Sequence, residues 1–130
     1  MRRLTLIHEL RGSLTEVGPG LFDVSLESCD GGDATLVTQL SFDADERFSE
    51  DGRIELGDGH LCFRTLADGH MSPAPDPRLW IGTAMREISS GSGALAGASG
   101  RITSMFVADG DGQVRDRELA LVFLPERSTR

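Results

Sequence analysis

The sequence predicts an all-β fold, and more narrowly an antiparallel, closed β-barrel of about eight strands. Three observations predict it. Apolar and polar residues alternate with period two through most of the 130 residues. Glycine-containing turns, several of them Asp-Gly, separate the alternating runs. No window keeps the i, i+3, i+4, i+7 apolar spacing of a helix for more than a turn or two. A two-sheet sandwich is the competing arrangement, but closure removes the edges that an open meander would expose.

The first run puts Leu4, Leu6, His8, Leu10 and Leu14 on one face and Thr5, Glu9, Arg11 and Ser13 on the other, with Ile7 out of pattern. Phe22, Val24 and Leu26 alternate with Asp23, Ser25 and Glu27 in the second, and Leu36, Thr38, Leu40 and Phe42 share a face of the third. Further runs cover 53–56, 60–66, 79–88, 101–108 and 114–124. Gly18-Pro19-Gly20, the segment 29–33, Asp51-Gly52, Asp58-Gly59, Asp68-Gly69 and the segment 109–112 are the expected turns, because glycine, and less readily aspartate, accepts the positive φ of a tight reversal. Segment 72–77 holds Pro73, Pro75 and Pro77 and is expected to be a stiff connection, either lying across a barrel mouth or serving as a plain crossover.

Length and composition fit one domain spanning residues 1–130. A chain of this size buries roughly two-thirds of its unfolded surface and needs no metal or disulfide to fold. The net charge is −8, and the basic residues are scattered singly apart from Arg2-Arg3, so nothing offers a cationic stripe to nucleic acid or to an anionic membrane. Every basic side chain other than histidine is arginine; lysine, asparagine and tyrosine are absent, which excludes Schiff-base lysines, a P-loop lysine, N-glycosylation and tyrosine acids. The arginine bias points to high-GC bacterial coding. Cys29 and Cys62 lack metal-ligand or framework spacing and are expected to be buried, reduced thiols. The amino-terminal twelve residues lack a continuous apolar run, so a cytoplasmic location is expected.

The stretch SSGSGALAGASGRI, residues 89–102, is the densest in glycine. It is not a dinucleotide fingerprint: the spacing is Gly-x-Gly-x-x-x-Gly, another glycine follows three residues later, and a strand-like run comes next. A tight corner of about one helical turn between two strands is the expected form. Gly82-Thr83 followed by Gly91-Ser92-Gly93-Ala94-Leu95-Ala96-Gly97-Ala98-Ser99-Gly100 resembles the glycine corner of the allene oxide cyclase and dirigent-like barrels, with Leu95 and Ser92 departing from the usual phenylalanine and threonine. The resemblance covers about twenty residues and the strand rhythm. It implies an apolar cavity that steers a reactive small molecule to one cyclisation or coupling outcome without a cofactor, and it transfers no catalytic residue.

Candidate site residues follow from strand parity. His8, among leucines, is a candidate general base or carbonyl ligand; its plain alternative is a satisfied core histidine. Arg86 shares parity with Trp80, Gly82 and Ala84, where it would be a buried cation if that face points inward and a surface charge otherwise. Arg64 poses the same choice. Phe22, Thr38, Phe63 and Trp80, together with Met85, Met105, Phe106 and Phe123, are the expected cavity lining, with ordinary core packing as the alternative for each. His60 and His70 are expected in solvent. The turn at 109–112 lacks the third ligand, the glycine and the bidentate glutamate of a calcium loop, and no metal site or hydrolase arrangement is present.

These readings predict a cofactor-independent isomerase or cyclase that folds an apolar, oxygenated, natural-product-like intermediate. The alternatives are a non-catalytic barrel carrying a small hydrophobic ligand, and a structural oligomer with a filled core. Several strands show two apolar faces, so a homo-oligomer, a dimer or trimer, is expected to cover the outside.

Overall fold

A computed structural model describes residues 1–43 and 46–126. The alternating runs become nine antiparallel strands: β1 (Arg2–Gly18), β2 (Leu21–Ser28), β3 (Ala34–Phe42), β4 (Arg47–Leu56), β5 (Gly59–Thr65), β6 (Gly69–Pro73), β7 (Leu79–Gly93), β8 (Ser99–Asp109) and β9 (Gln113–Leu124). They hydrogen-bond in the order β3-β2-β1-β9-β8-β7-β5-β4-β6, and β3 also pairs with β4 and β7 with β6. The sheet therefore closes on itself. The two short strands β5 and β6 fill one stave between β4 and β7, so nine strands make an eight-position barrel and each has a partner on both sides.

Strict alternation sorts the side chains. Leu10, Leu36, Leu61, Phe63, Ile102 and Val122 are inside with almost no exposure, and Val24, Leu26, Leu40, Phe48, Ile54 and Ile88 complete the packing. A bulge in β7 lets Cys62 face Ser90 while Phe63 faces Ile88, so Ser89 is the extra residue and inward parity passes from Ile88 to Gly91. There the glycine-rich stretch folds back over the barrel end. Leu95 N donates to Ser92 O, Ala96 N to Gly93 O and Ala98 N to Leu95 O, a single 3₁₀-like turn entered at Gly93 (φ 60°) and left at Gly97 (φ 79°). Leu95 and Ala98 are buried, so the corner plugs this base.

The opposite end is the mouth. Phe22, Phe42, Phe48 and Phe106 step from it into the core with ring centroids 5.5, 5.2 and 6.0 Å apart. Of the two forms open to segment 72–77, a cover for the mouth or a plain connection, the structure shows the plain connection. Ser72 and Pro73 end β6, and Ala74 N to Leu79 O (2.9 Å) with Leu79 N to Asp76 O (3.0 Å) closes a short hairpin into β7. Asp51-Gly52 is likewise not a turn but lies within β4, because the ladder with β3 runs unbroken from Phe42↔Phe48 to Ala34↔Leu56.

Candidate functional site

Halfway down the barrel the inward positions carry charge. Arg86 of β7 is 3% exposed. Its Nε lies 2.5 Å from Glu50 Oε1 on β4, its Nη2 reaches Glu50 Oε2 at 3.4 Å, and its Nη1 bonds Glu118 Oε2 on β9. The guanidinium also sits 4.6 Å from the ring centroid of Phe63, so apolar packing covers the side that no carboxylate occupies. Thr38 Oγ1 donates to Glu50 Oε2 at 2.9 Å. Two residues before Glu118 on the same strand face, Asp116 accepts a bond from Ser104 Oγ at 2.6 Å through Oδ1.

Burial works against the charge on Arg86, but the carboxylates of Glu50 and Glu118 outweigh it and hold the guanidinium charged. For Asp116 the balance runs the other way: burial, a hydrogen bond to Glu118 and the charge of Glu118 push it up to about 9, against weaker opposition from Arg86 and Ser104. Burial also pushes Glu118 up, yet Arg86, the bonds from Asp116 and Arg86, and His8 together bring it below the ordinary glutamate value. Asp116 is thus held up and Glu118 held down, and the two carboxyls titrate as a pair. Asp116 Oδ2 is buried with no hydrogen-bond partner, so an ionised carboxylate there would be left unsolvated.

The barrel interior is packed rather than open. Beside this cluster lies a space of about 20 Å³, bounded by Thr38, Glu50, Arg86, Asp116, Leu14 and Phe106 among others, room for one water molecule. The larger space is at the mouth: a vestibule of about 480 Å³ lined by Leu14, Phe22, Phe42, Met71, Trp80, Ala108 and the carboxylates Glu16, Glu46 and Asp109. Leu14 borders both the vestibule and the charged chamber.

The residues expected at a site separate accordingly. Phe22 and Trp80 line the vestibule; Thr38, Arg86 and Phe106 line the inner chamber, and Phe63 packs under Arg86. His8 faces inward opposite Glu118, and its Nε2 is buried with no partner. Met85, Met105 and Phe123 are on the outer parity, as is Arg64, which reaches Glu87 at 3.8 Å in solvent; the β5–β7–β8–β9 register fixes all four outside, so none of them lines the vestibule or the inner chamber, and Met105 instead borders an outer groove with Glu9, Val107 and Arg117. His60, expected in solvent, is half-buried with Nδ1 2.6 Å from Ser92 Oγ. Glu50, Asp116 and Glu118 are the buried acids around Arg86 and were not among the candidates. The available signal was parity, since Asp116 and Glu118 alternate in register with Val114, Ala120, Val122 and Leu124.

Among the described residues no group of three or more His, Cys, Asp or Glu side chains is placed to hold a metal ion, and no helix is long and apolar enough to cross a membrane. No family model and no curated protein matches the chain. Among solved structures it is similar to that of the pterocarpan synthase dirigent protein GePTS1, at 13% identity and a TM-score of 0.43 over 96% of this chain and 89% of that one.

Proposed function

We propose that the chain is a barrel that binds a small hydrophobic molecule in the vestibule at its mouth. The observation that carries this reading is the vestibule itself, an apolar concavity of about 480 Å³ on a rigid closed barrel, within the size range of small-molecule sites and in a place where barrels hold ligands. Phe22, Phe42, Met71 and Trp80 give it adaptable aromatic and thioether walls. N-phenyl-1-naphthylamine, a neutral apolar probe that brightens out of water, tests it. Saturable brightening that weakens in Trp80→Ala supports the vestibule; no brightening, or none that depends on Trp80, overturns it.

A second reading, a cofactor-independent isomerase or cyclase, is supported by Asp116, pushed up to about 9, beside Arg86 and Glu50 in the chamber that shares Leu14 with the vestibule. If Leu14 swings aside, a carbonyl or enol oxygen could accept the Asp116 proton as a bond rearranges, and the acid would recover a proton from the product, leaving no net change. Arg86 would act by positioning, since Glu50 and Glu118 already engage its Nε, Nη1 and Nη2. Turnover lost in Asp116→Asn with probe binding intact would support catalysis; turnover unchanged would exclude Asp116. Assembly into a homo-oligomer through the outer face of β7, β8, β9 and β1 belongs to the same proposal, because that face leaves Ile7, Met85, Met105 and Leu119 in solvent.

A further inference from the structure

The vestibule is apolar at its floor and negative around it. Glu16, Glu46 and Asp109 stand beside Phe22, Phe42, Met71 and Trp80, and among the described residues neither arginine nor histidine lines it. One of the carboxylates is fixed in place, and the backbone of a second is anchored to the floor. Asp109 Oδ1 accepts the backbone N–H groups of Asp111 (2.9 Å) and Gln113 (3.0 Å), which ties its side chain to the β8–β9 turn. Glu46 has φ 63°, a left-handed backbone unusual for a glutamate, and its carbonyl accepts Met71 N at 2.9 Å, which joins it to the strand that supplies the floor. Arg78 next to this end is taken up by Asp76, 2.8 Å away, so its charge is offset locally. The chain as a whole carries −8.

Resting on the vestibule reading, we infer that its ligand is a small organic cation: an apolar, preferably aromatic body bearing an amine or quaternary ammonium group. A neutral molecule would use the aromatic walls and gain nothing from three carboxylates. An anion would be repelled by all three. A cation gains from both, since ring faces attract an ammonium group and the low-dielectric floor focuses the field of the carboxylates above it.

The sequence contains one tryptophan, Trp80, in the vestibule wall, so its fluorescence reports occupancy directly. The full chain is titrated with three probes of one shape: 2-phenylethylammonium, 2-phenylethanol and phenylacetate. The expected order is cation, then neutral, then anion, with about a tenfold preference for the cation over the alcohol at low ionic strength that shrinks as salt is added. In Glu16→Gln/Glu46→Gln, which keeps both side-chain shapes at exposed positions, the cation and alcohol should bind within about twofold of one another. Equal affinities in the unaltered protein, or a cation preference that survives the double substitution, overturn the inference while leaving the vestibule as a hydrophobic site. No saturable response to any of the three overturns the vestibule reading and the inference together.

Discussion

Ser104 gives its hydroxyl to Asp116 Oδ1 at 2.6 Å, and the other carboxyl oxygen of Asp116 finds no donor in the packed interior. An ionised Asp116 would leave that oxygen both charged and unsolvated beside Glu118; a protonated one resolves it. The stability consequence has a definite sign. The Asp116 value rises from 3.8 in the free side chain to about 9 in the fold, so between those limits the folded state holds a proton that the unfolded state has released. Stability contributed by this group is full below the lower value and declines as pH rises, by at most about 1.4 kcal/mol per unit, levelling off near the upper one. Urea unfolding from pH 5 to 9 should show that decline in the unaltered protein and a markedly flatter profile in Asp116→Asn, which cannot ionise. The groups packed around it are Glu118, Arg86, Glu50 and Ser104, with His8 opposite Glu118; a profile equally steep in the variant would move the proton to one of the ionisable neighbours.

Removing Arg86 tests the cluster as a unit. Arg86→Met keeps much of the side-chain length but leaves Glu50 and Glu118 buried without their cation, a loss expected to cost about 3–5 kcal/mol. Adding Glu50→Gln and Glu118→Gln removes the uncompensated charge and should return most of that stability. Denaturant midpoints of the single and triple variants decide it: a triple variant no more stable than the single one would mean that Arg86 supports the barrel through its contact with Phe63 rather than through charge.

The barrel was legible because period-two alternation, glycine turns and the glycine corner each impose a local geometry that the fold keeps. The interior charges were not, and for one physical reason: a carboxylate on an inward position counts as outward in any hydrophobic pattern. Glu50 and Gly52 interrupt the apolar parity of Phe48 and Ile54, so β4 reads as a turn at Asp51-Gly52 followed by a short strand, whereas cross-strand bonds to β3 hold it straight. Met85 and Met105 failed in the opposite sense. They are apolar and outward, 44% and 59% exposed, and alternation between two apolar faces cannot say which is inside. Arg86 shows what does settle such a tie, namely small neighbours: Gly82 and Ala84 leave room that an arginine and a phenylalanine ring then share.

That room is tightly used at Gly82. A β-carbon there would lie 2.0 Å from Phe106 Cζ, with two further ring atoms within 2.4 Å, because the Phe106 ring lies flat over the glycine backbone of the neighbouring strand. Gly82→Ala must displace the ring into a core without space to receive it, and a loss of about 1–3 kcal/mol is expected. Phe106→Leu in the same chain relieves the clash, so the double variant should be more stable than the sum of the two single changes predicts. Melting temperatures of the four proteins measure the coupling; strict additivity would show that the ring moves away freely.

The outer face makes a last prediction. Met85 pairs with Thr103, Thr103 with Leu119, and Leu119 with Ile7, one line of side chains across β7, β8, β9 and β1, flanked by Met105 on β8 and Leu121 on β9. Ile7 is 76% exposed there, and single surface leucines are unremarkable but a row spanning four strands is not. A second copy of the chain covering this row would bury it, and a dimer or trimer is the expected form. Leu119→Glu places a charge at the centre of the row and touches no interior residue, so it should leave the melting temperature of the barrel nearly unchanged while dissociating the assembly to the 14.0 kDa chain. Sedimentation velocity of the two proteins reads the outcome. An unaltered chain that sediments as a 14.0 kDa monomer at tens of micromolar would remove the oligomer, and the apolar row would then have no self-association to explain it.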